Sequence, residues 1–252
     1  MKKKYLLTVL LFSILISSIQ GQVVKRDSKI RLGFGLAGFT SNSVNSLIYT
    51  FEELAKEMYP ETGFSPSHFK KHLFYTIEYE VDINHDFNYM FTFEIHKDRI
   101  SGSDVNYVNY VSQYINFDFN YITGGVAIVY YYPFFTTKFG EARIFAGLGM
   151  DLLYTNLDIY HYYNEVTKDG PQEIDYNATG YNISGKGFFG VEVPFSHAIF
   201  IQVRGGFAYR EASDFSGKIR ASQQKPINPE IMDKKSYNLS GFSGDLGIAF
   251  YF

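Results

Sequence analysis

The sequence predicts an all-β chain, an eight-stranded antiparallel transmembrane β-barrel with long extracellular loops and one short helix in the first loop. Three observations carry that expectation. Apolar and polar residues alternate through eight segments, the links between segments are long and short by turns, and the rings of 22 Tyr and 25 Phe occur in a chain of 252 residues with neither Trp nor Cys. An apolar content of 46% excludes a disordered chain, and a formal net charge of -3 excludes nucleic-acid binding by bulk positive charge. Absent Cys excludes a disulfide framework, thiolate catalysis and any Cys-ligated metal or cluster.

Residues 1–21 read as a cleaved secretory signal. Lys2, Lys3 and Lys4 precede an apolar run from Tyr5 to Ile19, and Gly21 is the small residue expected at the cut. The run is shorter than the roughly 20 residues that a spanning helix needs. Its removal takes three lysines and no acid from 23 basic and 26 acidic residues, leaving residues 22–252 as a barrel domain of net charge -6.

The strands follow in order. In the first, Ile30, Leu32, Phe34 and Leu36 oppose Arg31 and the small Gly33 and Gly35. In the second, Leu73, Tyr75, Ile77, Tyr79, Val81 and Ile83 oppose Phe74, Thr76, Glu78, Glu80 and Asp82. The third sets Phe87, Tyr89, Phe91, Phe93 and Ile95 against Asn88, Met90, Thr92, Glu94 and His96, and only Asn84, His85 and Asp86 separate it from the second, so the two form a hairpin. In the fourth, Ile115, Phe117, Phe119 and Tyr121 oppose Asn116, Asp118 and Asn120. Gly124 and Gly125 are then read as a bulge that moves the apolar phase to Val126, Ile128 and Tyr130. The fifth places Ile144, Ala146, Leu148, Met150 and Leu152 opposite Arg143, Gly147, Gly149 and Asp151. The sixth places Ile183, Phe189, Val191 and Val193 opposite Ser184, Lys186, Gly190 and Glu192. The seventh sets Ile199, Ile201, Val203, Phe207 and Tyr209 against Gln202, Arg204 and Arg210, and the eighth sets Phe242, Leu246, Ile248, Phe250 and Phe252 against Ser243, Asp245, Gly247 and Ala249.

Short links follow the second, fourth and sixth strands, at 84–86, 133–140 and 194–197. Long ones follow the first, third, fifth and seventh, at 40–72, 97–113, 155–180 and 211–237. Long loops at one end and short turns at the other, with both termini at the short end, is the arrangement of an outer-membrane barrel. The first long loop carries the helical signal: Val44, Leu47, Ile48, Phe51, Leu54, Ala55 and Met58 recur at spacings of three and four, with Pro60 and Gly63 to end the run.

Polarity decides between a soluble and a membrane barrel. One face holds Arg31, Glu78, Glu80, Asp82, Glu94, Asp118, Arg143, Asp151, Lys186, Glu192, Arg204, Arg210 and Asp245, and the other is nearly free of charge. Turned inward, the apolar face would crowd more rings into an eight-strand lumen than its width admits; turned outward, it meets hydrocarbon, with Tyr at the headgroups. The charges then form an interior polar network, and desolvation requires them to pair.

The segment from Gly185 to Tyr209 (GKGFFGVEVPFSHAIFIQVRGGFAY) and the end from Gly244 to Phe252 (GDLGIAFYF) resemble the OmpA/OmpX-type outer-membrane β-barrel family, in the loop-rich form common in Bacteroidota. The resemblance spans roughly Ile30 to Phe252. It implies residence in the outer membrane of a Gram-negative bacterium, with Leu246, Ile248, Phe250 and Phe252 as the signal read by the outer-membrane assembly machinery.

Catalytic signatures are missing. No His-Glu-x-x-His, Gly-x-Ser-x-Gly or Gly-rich phosphate loop occurs, and none of the six histidines has a Ser two residues later. His68 and His72 stand four apart, a spacing that more commonly belongs to surface residues than to a metal site. The expectation is therefore a monomeric, non-catalytic protein without cofactor or metal. Its partners are outer-membrane lipid, the assembly machinery and an extracellular ligand at the loops, with no nucleic acid. The alternatives are a small enzyme modifying lipid or cleaving peptide at the outer rim, with a carboxylate such as Asp151 or Glu211 and His161, and a narrow porin-like channel.

Overall fold

Alternation with period two gives a strand two unlike faces, and in a closed ring every backbone group finds a neighbour. The computed structural model describes residues 28–40, 45, 48, 49, 53, 71–84, 86–106, 111–165, 172–221 and 236–252. Its strands are β1 (Ser28–Phe39), β2 (Lys71–Asp82), β3 (Phe87–Asn106), β4 (Val111–Thr137), β5 (Gly140–Glu165), β6 (Gln172–Pro194), β7 (Ile199–Tyr209), β8 (Glu211–Ala221), β9 (Ser236–Asn238) and β10 (Gly241–Tyr251). Antiparallel pairing runs from β1 through β7 in sequence order, then from β7 to β10 and from β10 back to β1. The ring therefore has eight walls. β8 continues β7 past Arg210 and pairs with β6, and β9 pairs with β8 just before β10 begins.

The short turns are held by side chains. Asn84 Oδ1 accepts from the N–H groups of Asp86 and Phe87, both at 3.0 Å, and Ser196 Oγ accepts from Ile199 N–H at 3.0 Å. Gly140 closes the β4–β5 turn at φ +141°, which a side chain would strain. Ser28 and Phe252 exchange backbone hydrogen bonds of 3.1 and 3.0 Å, so both ends of the described chain lie at the short-turn end.

Two expectations need correction. No bulge occurs at Gly124–Gly125: β4 keeps unbroken register with both neighbours there, and the irregularity falls between Pro133 and Phe135, where Pro has no N–H to give the ladder. Continuous alternation consequently turns Ile115, Phe117, Phe119 and Tyr121 inward, and Asp118 outward. Secondly, much of the second and third long links is strand, since β3 and β4 run to Asn106 and from Val111, and β5 and β6 to Glu165 and from Gln172. Asn45, Ile48, Tyr49 and Glu53 have helical backbone, but the rest of the expected first-loop helix lies outside the described residues, as does the signal segment 1–21.

The result is a molecule of two storeys with opposite polarity. In the lower, Leu32, Phe34, Leu36, Leu73, Tyr75, Ile77, Ile128, Leu148, Met150, Ile183, Phe189 and Val203 stand outward and exposed. Runs such as Phe87 to Ile95, Ile144 to Tyr154 and Phe242 to Phe252 match the roughly nine to eleven tilted residues that cross a bilayer. In the upper storey, a tower of β3–β6 and β8, the inside is apolar: Ile48, Ile100, Ile115, Phe117, Phe119, Tyr121, Leu153, Leu157, Ile159, Tyr176, Ala178 and Leu239 form one buried cluster.

Candidate functional site

The lower interior is filled by three layers of charge. At the short-turn end, Lys29 Nζ lies 3.0 Å from Glu80 Oε1 and 2.9 Å from Glu192 Oε2 and donates to Tyr131 OH at 2.6 Å. Glu192 also takes Arg143 Nη2 at 2.7 Å, Tyr251 OH at 3.0 Å and Gln202 Nε2, while Glu80 accepts from Tyr131 OH at 2.7 Å. The middle layer is a closed ring of alternating charge. Arg31 holds Glu78 at 3.2 Å and Asp245; Arg204 holds the same two, at 2.6 and 2.8 Å. Gly33 and Gly247 face each other across β1 and β10, and a Cβ on either would strike the Arg31 guanidinium, so these glycines make its space.

In the top layer, Lys186 Nζ reaches Glu94 Oε1 and Asp151 Oδ1, each at 3.1 Å, and Arg210 Nη2 reaches Glu94 Oε2 at 2.7 Å. His96 Nε2 sits 3.1 Å from the same carboxylate, and His72 joins His96 Nδ1 at 3.0 Å to Tyr121 OH at 2.8 Å. Above this, the apolar tower begins. The opposite wall is lined by Met90, Ala127, Val129, Phe145 and Phe188.

Arg31, Glu78, Glu80, Glu94, Arg143, Asp151, Lys186, Glu192, Arg204, Arg210 and Asp245 thus meet inside. Asp118 does not: it sits on the outer face of the tower, bound by Arg99 with Nε–Oδ1 at 2.5 Å. Sequence reasoning missed Lys29, which is fully buried and one residue before the start assigned to the first strand, although alternation with Arg31 marks it. Tyr131 and Tyr251 were also missed, because an aromatic ring on the polar face looks like an exception until its hydroxyl is seen bonded. Leu246, Ile248, Phe250 and Phe252 point outward, 40 to 68% exposed.

In these layers six cations face six carboxylates, and each carboxylate has at least one cationic partner. Neutrality and pairing let charges remain in a space that water barely enters. A cavity of about 20 Å³ beside Phe74, Glu94, Lys186, Arg204 and Arg210 is room for one water. The residues of the enzymatic alternative do not converge. Asp151 is buried against Lys186 and Thr92, His161 is buried ten residues further along β5, about 33 Å of strand, and Glu211 meets Tyr209 OH at the outer rim. Among the described residues no group of His, Cys, Asp or Glu could hold a metal ion; His68 lies outside them.

Two buried or half-buried groups of the tower titrate away from their ordinary ranges at acid pH. Burial among apolar side chains holds His161 down to about 4, and desolvation pushes Asp98 up to about 6. Gln113, on the strand beside His161, is buried with neither side-chain polar atom bonded.

A closed ring with an apolar exterior and a salt-bridged interior defines a transmembrane β-barrel. No protein-family model and no curated protein sequence matches the chain. Solved structures of similar fold include Ail of Yersinia pestis in complex with the heparin analogue sucrose octasulfate (9% identity, TM-score 0.40, covering 91% of this chain and 100% of that one). Neisserial surface protein A (10%, TM-score 0.46, 90% and 97%) and OprG of Pseudomonas aeruginosa (8%, TM-score 0.43, 90% and 96%) are similar to the same extent.

Proposed function

We propose that this chain is a non-catalytic integral protein of a Gram-negative outer membrane that presents its tower to the outside as an interaction surface. The observation that carries this reading is the reversal of polarity between storeys: apolar outside and charged inside across one bilayer thickness, then polar outside and apolar inside beyond it. The lower storey is solvated by lipid and the upper by water. Paired charges and a one-water cavity argue against conduction, and the separation of Asp151, His161 and Glu211 argues against rim catalysis. Leu246, Ile248, Phe250 and Phe252 supply the alternating outward face that the assembly machinery would engage.

Planar-bilayer recording on the refolded protein tests the sealed interior. No steady unitary conductance is expected. Reproducible steps at the single-molecule level would replace this reading with the narrow channel. Protease applied to intact cells should cut within the third and fourth long links, 155–180 and 211–237, and spare the turn at Asn84–Asp86; the reverse would invert the topology.

A further inference from the structure

Three cations gather on the outer face of β2 and β3, where the apolar columns end. Leu73 pairs with Lys97 across the two strands, and Lys71 and Arg99 each lie two residues further up on the same outer face. All three are exposed. Arg99 is clamped by Asp118, with Nη2–Oδ2 at 2.8 Å in addition to the Nε contact, whereas Lys71 and Lys97 make no hydrogen bond or ion pair with any described residue. The neighbouring walls of β4 and β5 carry Asn120, Asn156 and Asp158 there, so the three cations stand beside uncharged or acidic residues, in a chain with an acidic balance. Directly below the lysines stand Leu36, Leu73, Tyr75 and Phe93, 42 to 58% exposed, which offer an apolar column of hydrocarbon depth.

We propose that Lys71 and Lys97, flanked by Arg99, bind the phosphate of an outer-leaflet phosphoglycolipid whose acyl chains lie along that column. The inference rests on the outer-membrane orientation given above and names the lipid class the rim selects. A soluble anion would gain only the charge, whereas a membrane lipid presents an anion at headgroup height and hydrocarbon beneath it, which matches the order of the two patches. The lysine ammonium is a compact point charge suited to phosphate, and the Arg99 fork is already committed to a carboxylate.

The test uses the refolded full-length protein in nanodiscs of phosphatidylcholine doped with bisphosphorylated lipid A or with the same lipid A stripped of its phosphates, counting retained lipid by native mass spectrometry. Phosphorylated lipid A should be retained in preference, and the double variant K71Q/K97Q should lose about thirty-fold of that preference, the factor for neutralising two lysines at an anionic headgroup layer. Both side chains are exposed, so the variant should keep its heat-modifiable barrel. Equal retention of the two lipids, or an unchanged preference in the variant, overturns the inference while leaving the membrane reading intact. Inorganic phosphate alone displacing lipid A at equal concentration would make the site one for soluble anions, overturning the lipid assignment. Failure of the wild type to enter nanodiscs would overturn both readings.

Discussion

Glu78 shows how one side chain serves the interior. It is buried between Arg31 and Arg204, and the ring is completed by Asp245, so each charge in it has two opposite neighbours. Glu78→Gln would leave two buried guanidinium groups sharing one carboxylate, and breaking a buried pair from one side costs about 3–5 kcal/mol. Urea unfolding of the refolded barrel, followed by heat-modified gel mobility, should show that loss, while Tyr79→Phe on the adjacent outward position should change stability by under about 0.5 kcal/mol. Similar midpoints for the two variants would remove the charge ring from the list of what holds the barrel closed. That Glu78 points inward was legible from alternation with Tyr79 and Ile77. Its partners were not, because Arg204 reaches it across the lumen from β7, and which residues share a level depends on the stagger between strands.

At the scale of elements, β4 separates what sequence pattern resolves from what it misassigns. Its apolar residues occupy one parity from Ile115 to Tyr121 and the other from Val126 to Tyr132, a pattern that implies a bulge at the two glycines only if the apolar face always meets lipid. The strand is instead regular, and what changes at the glycines is the surroundings. Below them the outside is hydrocarbon; above them the outside is water and the inside is a packed core. Alternation alone reports which residues share a face, never which solvent that face meets, so an exchange of solvents along a strand mimics a bulge. Gly125 is inward, where a Cβ would strike Asp151, which gives that glycine a packing reason. The native chain has no Cys, so single cysteines label cleanly. Asp118→Cys should react with a membrane-impermeant maleimide on intact cells, and Phe117→Cys, at a fully buried position, should stay unmodified until denaturation. The opposite pattern would restore the bulge.

For the whole molecule, the two storeys should respond differently to acid, because their interiors hold protons by different means. In the barrel, charges are paired; in the tower, His161 is kept neutral by apolar burial and Asp98 is half-buried without an ion-pair partner among the described residues. The signs oppose. His161 titrates near 6.5 when the tower is open and at about 4 when closed, so as pH falls from 6.5 to 4 the open form takes the proton and the closed form loses on the order of 2–3 kcal/mol, a loss complete below that range. Asp98 titrates near 3.8 when open and at about 6 when closed, so over pH 6 to 4 the closed form takes the proton and gains stability, by less than burial alone would give since the group is partly solvated. Hydrogen exchange on the backbone amides of Ile115 to Phe119 and Leu157 to Ile159 reads tower opening directly, with Ile30 to Leu36 as the barrel reference. In the wild type the two effects should largely cancel. In Asp98→Asn, acidification from pH 7 to 4 should lower the protection factors of the tower amides, taken against the intrinsic exchange rate at each pH, by roughly ten- to hundred-fold, and in His161→Leu it should raise them, with barrel protection factors unmoved in both. If acid opened the barrel amides together with the tower in either variant, the molecule would be one cooperative unit, and the division into a lipid-solvated storey and a water-solvated storey would have no energetic meaning.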